Sequence, residues 1–162
     1  MSNFDQFMQA DEQYAAHFAK DDLPMPPGRK IAVVACMDAR LDPAKFLGLQ
    51  EGDAHVIRNA GGRAADAIRS LVISQHLLGT REVAVIHHTD CGMLTFTEEQ
   101  LHQKLHDELH VHAEIDFLPF TDLEQSVRDD VQALKDSPLL LPDVPIRGYI
   151  YDVHTGHLHE VN

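Results

Sequence analysis

The chain has 162 residues, of which 44% are hydrophobic and 24% charged, and this length and composition suit one folded domain with a single core. Its 13 Lys and Arg against 26 Asp and Glu give a net charge of −13, which argues against nucleic acid or an anionic membrane surface as a partner. No apolar run approaches the roughly 18 residues of a transmembrane helix, and residues 1–20 lack the basic start and apolar centre of a signal peptide. We therefore expect a cytoplasmic protein.

The first segment, residues 1–28, predicts a helical arm followed by a proline-rich linker. Apolar and aromatic side chains recur at loosely helical spacing between residues 3 and 20. Pro24, Pro26 and Pro27 then end any helix. Because the aromatic face has no obvious core of its own, two interpretations stay open: the arm packs on a partner subunit, or it folds back on its own domain.

The remaining residues, 29–162, predict one α/β domain. The predicted elements, in chain order, are strand 31–36, a short helix 43–47 capped by Asp42, strand 54–58, an amphipathic helix from about 66 to 78 ended by Gly79, strand 83–88, helical residues 98–136 interrupted near Pro119, and a strand and hairpin from Ile146. This order is typical of a mostly parallel central sheet flanked by helices, with the C-terminal segment as an edge strand.

Two short strings follow predicted strands and carry the chemistry: Cys36-Met37-Asp38-Ala39-Arg40 and His88-Thr89-Asp90-Cys91-Gly92. Parallel strands in an open α/β sheet deliver functional residues at their carboxyl ends, so Cys36, His88 and Cys91 are expected to meet there. Two thiolates and one imidazole leave one coordination position over, which is the ligand set of a catalytic zinc site. The sequence therefore predicts a zinc enzyme.

Two alternatives to a metal site remain for the cysteines. Cys36 and Cys91 are the only two in the chain, so they could form a disulfide or be inert buried thiols. A reducing compartment disfavours the disulfide, and the position of both cysteines after strands, one of them beside a histidine, favours a metal.

The neighbours of the predicted ligands have roles that the sequence leaves open. Asp38 could fill the fourth zinc position, or pair with Arg40, whose guanidinium suits a carboxylate. Asp90 could orient a ligand or be a plain turn residue. His87 alternates with His88 along the strand and is therefore expected on the opposite side, as a core or supporting histidine.

The order Cys-x-Asp-x-Arg and then, about fifty residues later, His-x-x-Cys-Gly resembles the β-class carbonic anhydrases, in particular the short bacterial members. The turn at residues 58–61 and the segment 148–153 resemble that family as well, and the similarity runs from about Ile31 to Val161. The resemblance implies that Cys36, His88 and Cys91 bind one Zn²⁺ per chain.

It further implies that Asp38 and Arg40 form the catalytic dyad. The implied activity is the reversible hydration of carbon dioxide to bicarbonate by attack of zinc-bound hydroxide. The implied assembly is a homodimer or homotetramer, with sites at the subunit boundary and the N-terminal helix lying on the neighbour.

Two other functions use the same residues. Some members of the family hydrolyse carbonyl sulfide or carbon disulfide at this zinc site, and the choice depends on a pocket that the sequence does not display. A structural zinc in a binding module would need Asp38 as a permanent fourth ligand. Arg40 offers that carboxylate another partner, which favours a position that can open.

Two further patterns in the sequence concern histidines and glycines. His102, His106 and His110 lie at i, i+4 and i+8, which predicts either a second metal site or a solvated helix face. The segment 59–62 lacks the spacing of a dinucleotide fingerprint, so its glycines are expected to allow close backbone approach near the site.

Overall fold

The computed structural model describes residues 1–162 and contains one sheet surrounded by helices. Its elements are α1 (Asn3–Ala15), β1 (Ile31–Cys36), α2 (Pro43–Phe46), β2 (Ala54–Asn59), α3 (Ile68–His76), β3 (Glu82–His88), α4 (Glu98–Leu109), α5 (Leu123–Asp136), β4 (Ile146–Tyr151) and β5 (Leu158–Val161). The strand order is β2-β1-β3-β4-β5. The first four strands are parallel and β5 runs antiparallel to β4, so the predicted α/β fold with a C-terminal edge strand is confirmed.

The two central strands are β1 and β3, and both are buried on both faces. Their near-continuous apolar sequences are what a strand covered by helices on each side requires. The parallel pairing runs from Ile31 opposite Glu82 to Ala35 opposite Ile86. The two strands therefore end at the same edge of the sheet, where Cys36 and His88 emerge.

The core lies on both faces of the sheet. One face joins β1 and β3 to α3 and α5, and its largest fully buried side chains are Leu71, Val34, Val85 and Leu134. The other face packs Val33 and Ile86 against Phe46 and Tyr151, whose rings stack with centroids 4.3 Å apart. Burial of this apolar surface is the main term that holds the sheet and helices together.

The largest difference from the sequence prediction lies between α4 and α5. The helical interruption that the sequence predicts near Pro119 spans residues 110–122. His110 ends α4 in the left-handed conformation, with φ 55°. The Glu98 carboxylate then accepts hydrogen bonds from the backbone N–H groups of Phe117 and Leu118, at 2.7 and 2.8 Å. These two bonds hold the segment against α4.

Helix α1 lies outside the core. None of its residues is buried. The Glu51 carboxylate of the domain lies 3.3 Å from the hydroxyl of Tyr14, in α1, and 2.7 Å from the ammonium of Lys20, which follows the helix. Helix α1 therefore does not pack into the core of its own domain, and its packing on a partner subunit stays a prediction. No helix of the chain combines the length and apolar character that crossing a membrane requires.

Gly148 of β4 gives a direct test of the packing between the sheet and α5. A Cβ atom at this position would lie 2.3 Å from Cγ1 of Val127 and 3.0 Å from Cγ2 of Val131. We expect Gly148→Ala to lower the free energy of unfolding by about 2 kcal/mol, because helix and strand must move apart. Urea denaturation followed by circular dichroism measures this change.

Gly28→Ala is the matched control for this substitution. Its Cβ would make only an ordinary contact of 3.7 Å with the carbonyl oxygen of Gly52, so stability should change by less than about 0.5 kcal/mol. Equal losses in the two variants would contradict the packing explanation.

Candidate metal centre and active site

Three side chains meet at the carboxyl edge of the sheet, as the sequence predicts. Cys36 is the last residue of β1, His88 is the last residue of β3, and Cys91 follows on the turn after β3. Their ligand atoms lie within 4.8 Å of one another and all three residues are buried. Both cysteines are free thiols, so the disulfide interpretation is not supported.

The hydrogen bonding of His88 leaves one ring nitrogen available for a metal. Nδ1 lies 2.8 Å from the backbone carbonyl oxygen of Thr89, so this nitrogen carries the proton and donates it. Nε2 is buried and has no hydrogen-bond partner. A buried nitrogen lone pair without a partner is costly, and a second nitrogen fixed by a carbonyl is the usual support of a metal-bound histidine.

The two thiols do not have the same proton affinity. The neighbouring Cys91 side chain and the backbone N–H groups of Asp38 and Gly61 lower the pKa of the Cys36 thiol. The neighbouring Cys36 side chain, together with burial, raises the pKa of the Cys91 thiol. Both sulfurs must be deprotonated to bind a divalent cation, so such binding would release protons.

Asp38 and Arg40 form a two-pronged ion pair beside these ligands. Arg40 Nε donates to Asp38 Oδ1 at 3.0 Å, and Nη2 donates to Oδ2 at 2.8 Å. These hydrogen bonds hold the pKa of Asp38 well below its usual range. Asp38 Oδ2 also lies 3.7 Å from Nε2 of His88, so the carboxylate is both ionised and close to the candidate metal position.

Arg58 fixes the backbone of the loop that carries Cys36 and Asp38. Its Nε donates to the carbonyl oxygen of Cys36 at 2.9 Å, and its Nη2 donates to that of Asp38 at 2.8 Å. Sequence reasoning assigned no such role to Arg58. The available signal was its position at the end of β2, next to β1 in a parallel sheet.

The glycines after β2 allow the close approach that the sequence predicts. A Cβ on Gly62, which has φ 63°, would lie 2.8 Å from the carbonyl oxygen of Ile86 and 3.0 Å from the backbone nitrogen of Cys36. The backbone N–H of Gly61 donates to the Cys36 sulfur at 3.3 Å. Only a residue without a side chain permits this contact between the turn and the two central strands.

A cavity of about 370 Å³ opens beside the candidate ligands. Asp38, Cys36 and Cys91 line it, and the rest of its wall is mostly apolar. The apolar side chains come from the turn after β3, from α4 and from the segment before α5, namely Met93, Phe96, Leu101 and Phe117. Sequence reasoning did not identify these residues, because their convergence depends on the path of residues 110–122.

A buried polar cluster lies behind the site. His87 is fully buried, with its ring nitrogens 2.7 Å from the Ser126 hydroxyl and 3.1 Å from the Asp130 carboxylate. Asp130 also accepts hydrogen bonds from the Arg63 guanidinium at 2.8 Å and from the backbone N–H of Ala64 at 3.0 Å. His87 is thus a core histidine with both ring nitrogens satisfied, one of the two roles that the sequence predicts for it. The sequence signal for Asp130 is a single acid on the apolar face of α5.

The histidines of α4 do not assemble a second metal site. His110 lies beyond the end of the helix in a left-handed conformation, so it does not continue the face that carries His102 and His106. His102 instead lies 3.2 Å from the Glu98 carboxylate and packs on Phe117, with ring centroids 5.2 Å apart. The only group of three or more potential ligands brought together is that of Cys36, His88 and Cys91.

A parallel α/β sheet with a Cys-His-Cys set at its carboxyl edge, beside an ionised acid and a largely apolar cavity, is typical of an α/β enzyme whose active site could hold a metal ion. The family model for carbonic anhydrase matches residues 31–158. The chain is 46% identical to beta-carbonic anhydrase 1 of Mycobacterium tuberculosis, over 99% of each chain. It is 35% identical to a carbon disulfide hydrolase of an Acidianus species, over 93% of this chain and 85% of the relative.

Among solved structures, the carbonic anhydrase of Streptococcus mutans superposes with a TM-score of 0.94 and 52% identity, over 100% of this chain and 99% of the other. Identity at this level over whole chains exceeds what a shared fold alone produces. The chain therefore belongs to the β-class carbonic anhydrase family.

The cluster behind the site predicts a pH-dependent stability. Burial alone would raise the pKa of Asp130, but the hydrogen bonds from His87 and Ala64 and the charge of Arg63 outweigh it and lower this pKa. The stabilisation is thus present above the unfolded-state pKa of about 3.9 and is lost as the pH falls through the lower folded-state value. We expect Asp130→Asn to cost about 3 kcal/mol at neutral pH, because the buried Arg63 charge loses its partner.

Urea denaturation of wild type and Asp130→Asn at pH 7 and again near pH 3 measures this difference, which should shrink at the lower pH. Asp129→Asn on the exposed face of α5 is the matched control and should cost no more than about 0.5 kcal/mol. A difference between wild type and Asp130→Asn that stayed constant with pH would contradict a role for the ionised carboxylate.

Proposed function

We propose that this chain is a carbonate dehydratase that binds one Zn²⁺ through Cys36, His88 and Cys91 and interconverts carbon dioxide and bicarbonate. The observation that carries this proposal is the unpartnered, buried Nε2 of His88, which faces two cysteine sulfurs beside an ionised carboxylate. The family membership of the whole chain supports the same reaction.

Zinc fits the donor set better than other common cations. Two thiolate sulfurs and one imidazole nitrogen are soft and borderline ligands, which disfavour magnesium and calcium and suit a tetrahedral zinc site with one position left over. When bound, zinc acts as a Lewis acid and makes hydroxide available from water at neutral pH.

Asp38 acts as a hydrogen-bond acceptor in this reaction. Because Arg40 lowers its pKa, the carboxylate is ionised at neutral pH and cannot donate a proton. It therefore accepts a hydrogen bond from the attacking oxygen and turns a lone pair of that oxygen toward the cavity. Arg40 holds both carboxylate oxygens at once, which fixes the plane of the acceptor.

The cavity supplies the binding site for a small apolar substrate. Carbon dioxide is linear and uncharged, and walls formed by Met93, Phe96, Leu101 and Phe117 suit it without offering a competing hydrogen bond. Addition of the oxygen nucleophile to its carbon gives bicarbonate. These apolar side chains do not stabilise the negative charge of bicarbonate, which favours release of the product.

Carbonyl sulfide and carbon disulfide are the alternative substrates. Both are linear and apolar, so the same cavity and the same acceptor would serve them. Relatives named carbon disulfide hydrolase share about a third of this sequence, at 35% and 34% identity. We rank carbon dioxide first because the relatives that match at 46% and 52% identity over nearly the whole chain are carbonic anhydrases.

A purely structural zinc is disfavoured by the position of Asp38. Such a site would need this carboxylate as a permanent fourth ligand, whereas both of its oxygens are held by Arg40. Because Arg40 binds both oxygens of the Asp38 carboxylate, the fourth coordination position is available to water.

The test of this function is to measure carbon dioxide hydration by stopped flow at about pH 8.4, where hydroxide is readily formed. The zinc content of the protein is measured in the same preparation. Turnover far above the uncatalysed rate at one zinc per chain is the expected result. Full zinc without hydration, but with hydrolysis of carbonyl sulfide or carbon disulfide, would establish the alternative. Absence of all three activities at full zinc would leave the structural site.

Substitutions at the dyad separate catalysis from metal binding. We expect Asp38→Asn and Arg40→Ala to lower turnover by about a hundredfold or more, because the acceptor is lost or is no longer held in its plane. Zinc content should stay near one per chain, since the three ligands remain. Loss of zinc from both variants would instead assign the pair a structural role.

We also propose that residues 1–28 form an arm that covers a second copy of the chain in a homodimer or homotetramer. Five large apolar side chains of this arm are each at least half exposed: Phe4, Phe7, Met8, Tyr14 and Phe18. So much unpartnered apolar surface on one segment is typical of an interface. The cytoplasmic location stays a prediction of the sequence.

Removal of residues 1–20 tests the arm. The shortened chain should lose most of its self-association, because the apolar face of α1 is removed while the core, to which α1 contributes no buried residue, is kept. Light scattering across a concentration series measures the mass, and circular dichroism checks the fold. An intact oligomer after the deletion would contradict this role.

A further inference from the structure

Asp90 lies on the turn between His88 and Cys91, and its backbone adopts the left-handed conformation with φ 55°. Asp is one of the few non-glycine residues that tolerate this region. Here the turn aims two acceptors of one residue at the same guanidinium. The Asp90 carboxylate accepts a hydrogen bond from Nη1 of Arg40 at 2.9 Å, and its carbonyl oxygen accepts one from Nη2, also at 2.9 Å.

The guanidinium of Arg40 is thereby held between two acidic residues that use different edges of it. Nε and Nη2 serve Asp38, while Nη1 and the second N–H of Nη2 serve Asp90. Four of its five N–H groups are therefore engaged. Because the two acids bind different N–H groups, Asp90 does not draw the guanidinium away from Asp38 but restrains its rotation.

The restraint on Arg40 affects which partner the Asp38 carboxylate binds. Its Oδ2 lies only 3.7 Å from Nε2 of His88, so the carboxylate has two competing partners, Arg40 and a cation held by the three ligands. Any loosening of Arg40 shifts the balance toward the cation. A carboxylate that reached the cation would occupy the position that the reaction needs for water.

We propose that Asp90 is a positioning residue that locks Arg40 in place and, through Arg40, keeps Asp38 off the metal so that one coordination position stays open. This inference rests on the metal ligands and the dyad proposed above. Of the two roles that the sequence leaves open for Asp90, this inference favours a residue that orients the site over a plain turn residue. The pair is partly exposed, with 45% of the Arg40 and 67% of the Asp90 side chain accessible, so the effect should be moderate.

The test uses cobalt-substituted protein and azide, a small anion that needs an open coordination position and whose binding changes the visible absorption of cobalt. Asp90→Gly keeps the left-handed turn and removes the carboxylate, and Asp90→Asn keeps the shape and removes the charge. We expect azide dissociation constants about fivefold higher in Asp90→Gly, with Asp90→Asn between it and wild type. Asp129→Asn, which removes an exposed acid on α5, should match wild type.

Asp38→Ala supplies the background that separates positioning from general disturbance of the turn. Without the Asp38 carboxylate nothing closes the position, so adding Asp90→Gly to Asp38→Ala should no longer weaken azide binding. Equal azide affinity in wild type and Asp90→Gly, or a loss that persists in the Asp38→Ala background, would overturn the proposal.

The metal content separates this failure from failure of the proposed function. Wild-type protein that does not take up one cobalt per chain, with the sulfur-to-cobalt absorption of two cysteine ligands, would overturn the ligand set and the role of Asp90 together. Full cobalt uptake with unchanged azide affinity in Asp90→Gly would overturn the role of Asp90 alone.

Discussion

The parallel pairing of β1 with β3 is the constraint on which the site depends. It brings the ends of two strands separated by about fifty residues of chain to one edge, so that Cys36 meets His88 without either strand being distorted. Both strands are buried on both faces, which fixes their register because a slip of one residue would place every side chain on the wrong face. The core thus sets the positions of Cys36 and His88, and of the three candidate ligands only Cys91 lies on a turn.

Three arginines fix the loops around Cys36 and His88 by hydrogen bonds. Arg58 holds the carbonyl groups of the loop after β1, Arg40 holds its carboxylate, and Arg63 anchors the turn after β2 to Asp130 on α5. Each guanidinium presents several N–H groups in one plane and stays charged. The shape of the cavity and the position of the Asp38 carboxylate beside it are therefore fixed by guanidinium groups that are not part of the cavity wall.

The sequence was sufficient for the fold and for the residues at strand ends, for a physical reason. Hydrophobic periodicity and glycine placement are local signals, so they located the first four strands to within two residues and placed Cys36 and His88 at the same edge of the sheet. The fifth strand was predicted only through the hairpin turn that precedes it. The cavity wall was not predictable in this way. Phe117 reaches it only because Glu98 ties down a segment of irregular backbone, and such long-range hydrogen bonds leave no periodic pattern. The hydrogen bonds of Asp130 to its three partners, which lie far from it in the sequence, were not predictable for the same reason.

The isolation of α1 from its own core has a thermodynamic consequence. A helix of 13 residues is marginal by itself in water, since nucleation is costly and each residue adds little. No residue of α1 is buried in its own subunit, so in the proposed dimer or tetramer the contact with a second copy would supply much of the free energy that orders this helix. The order of the arm would then depend on protein concentration: dilution would favour a frayed arm, and a higher concentration would favour a formed one.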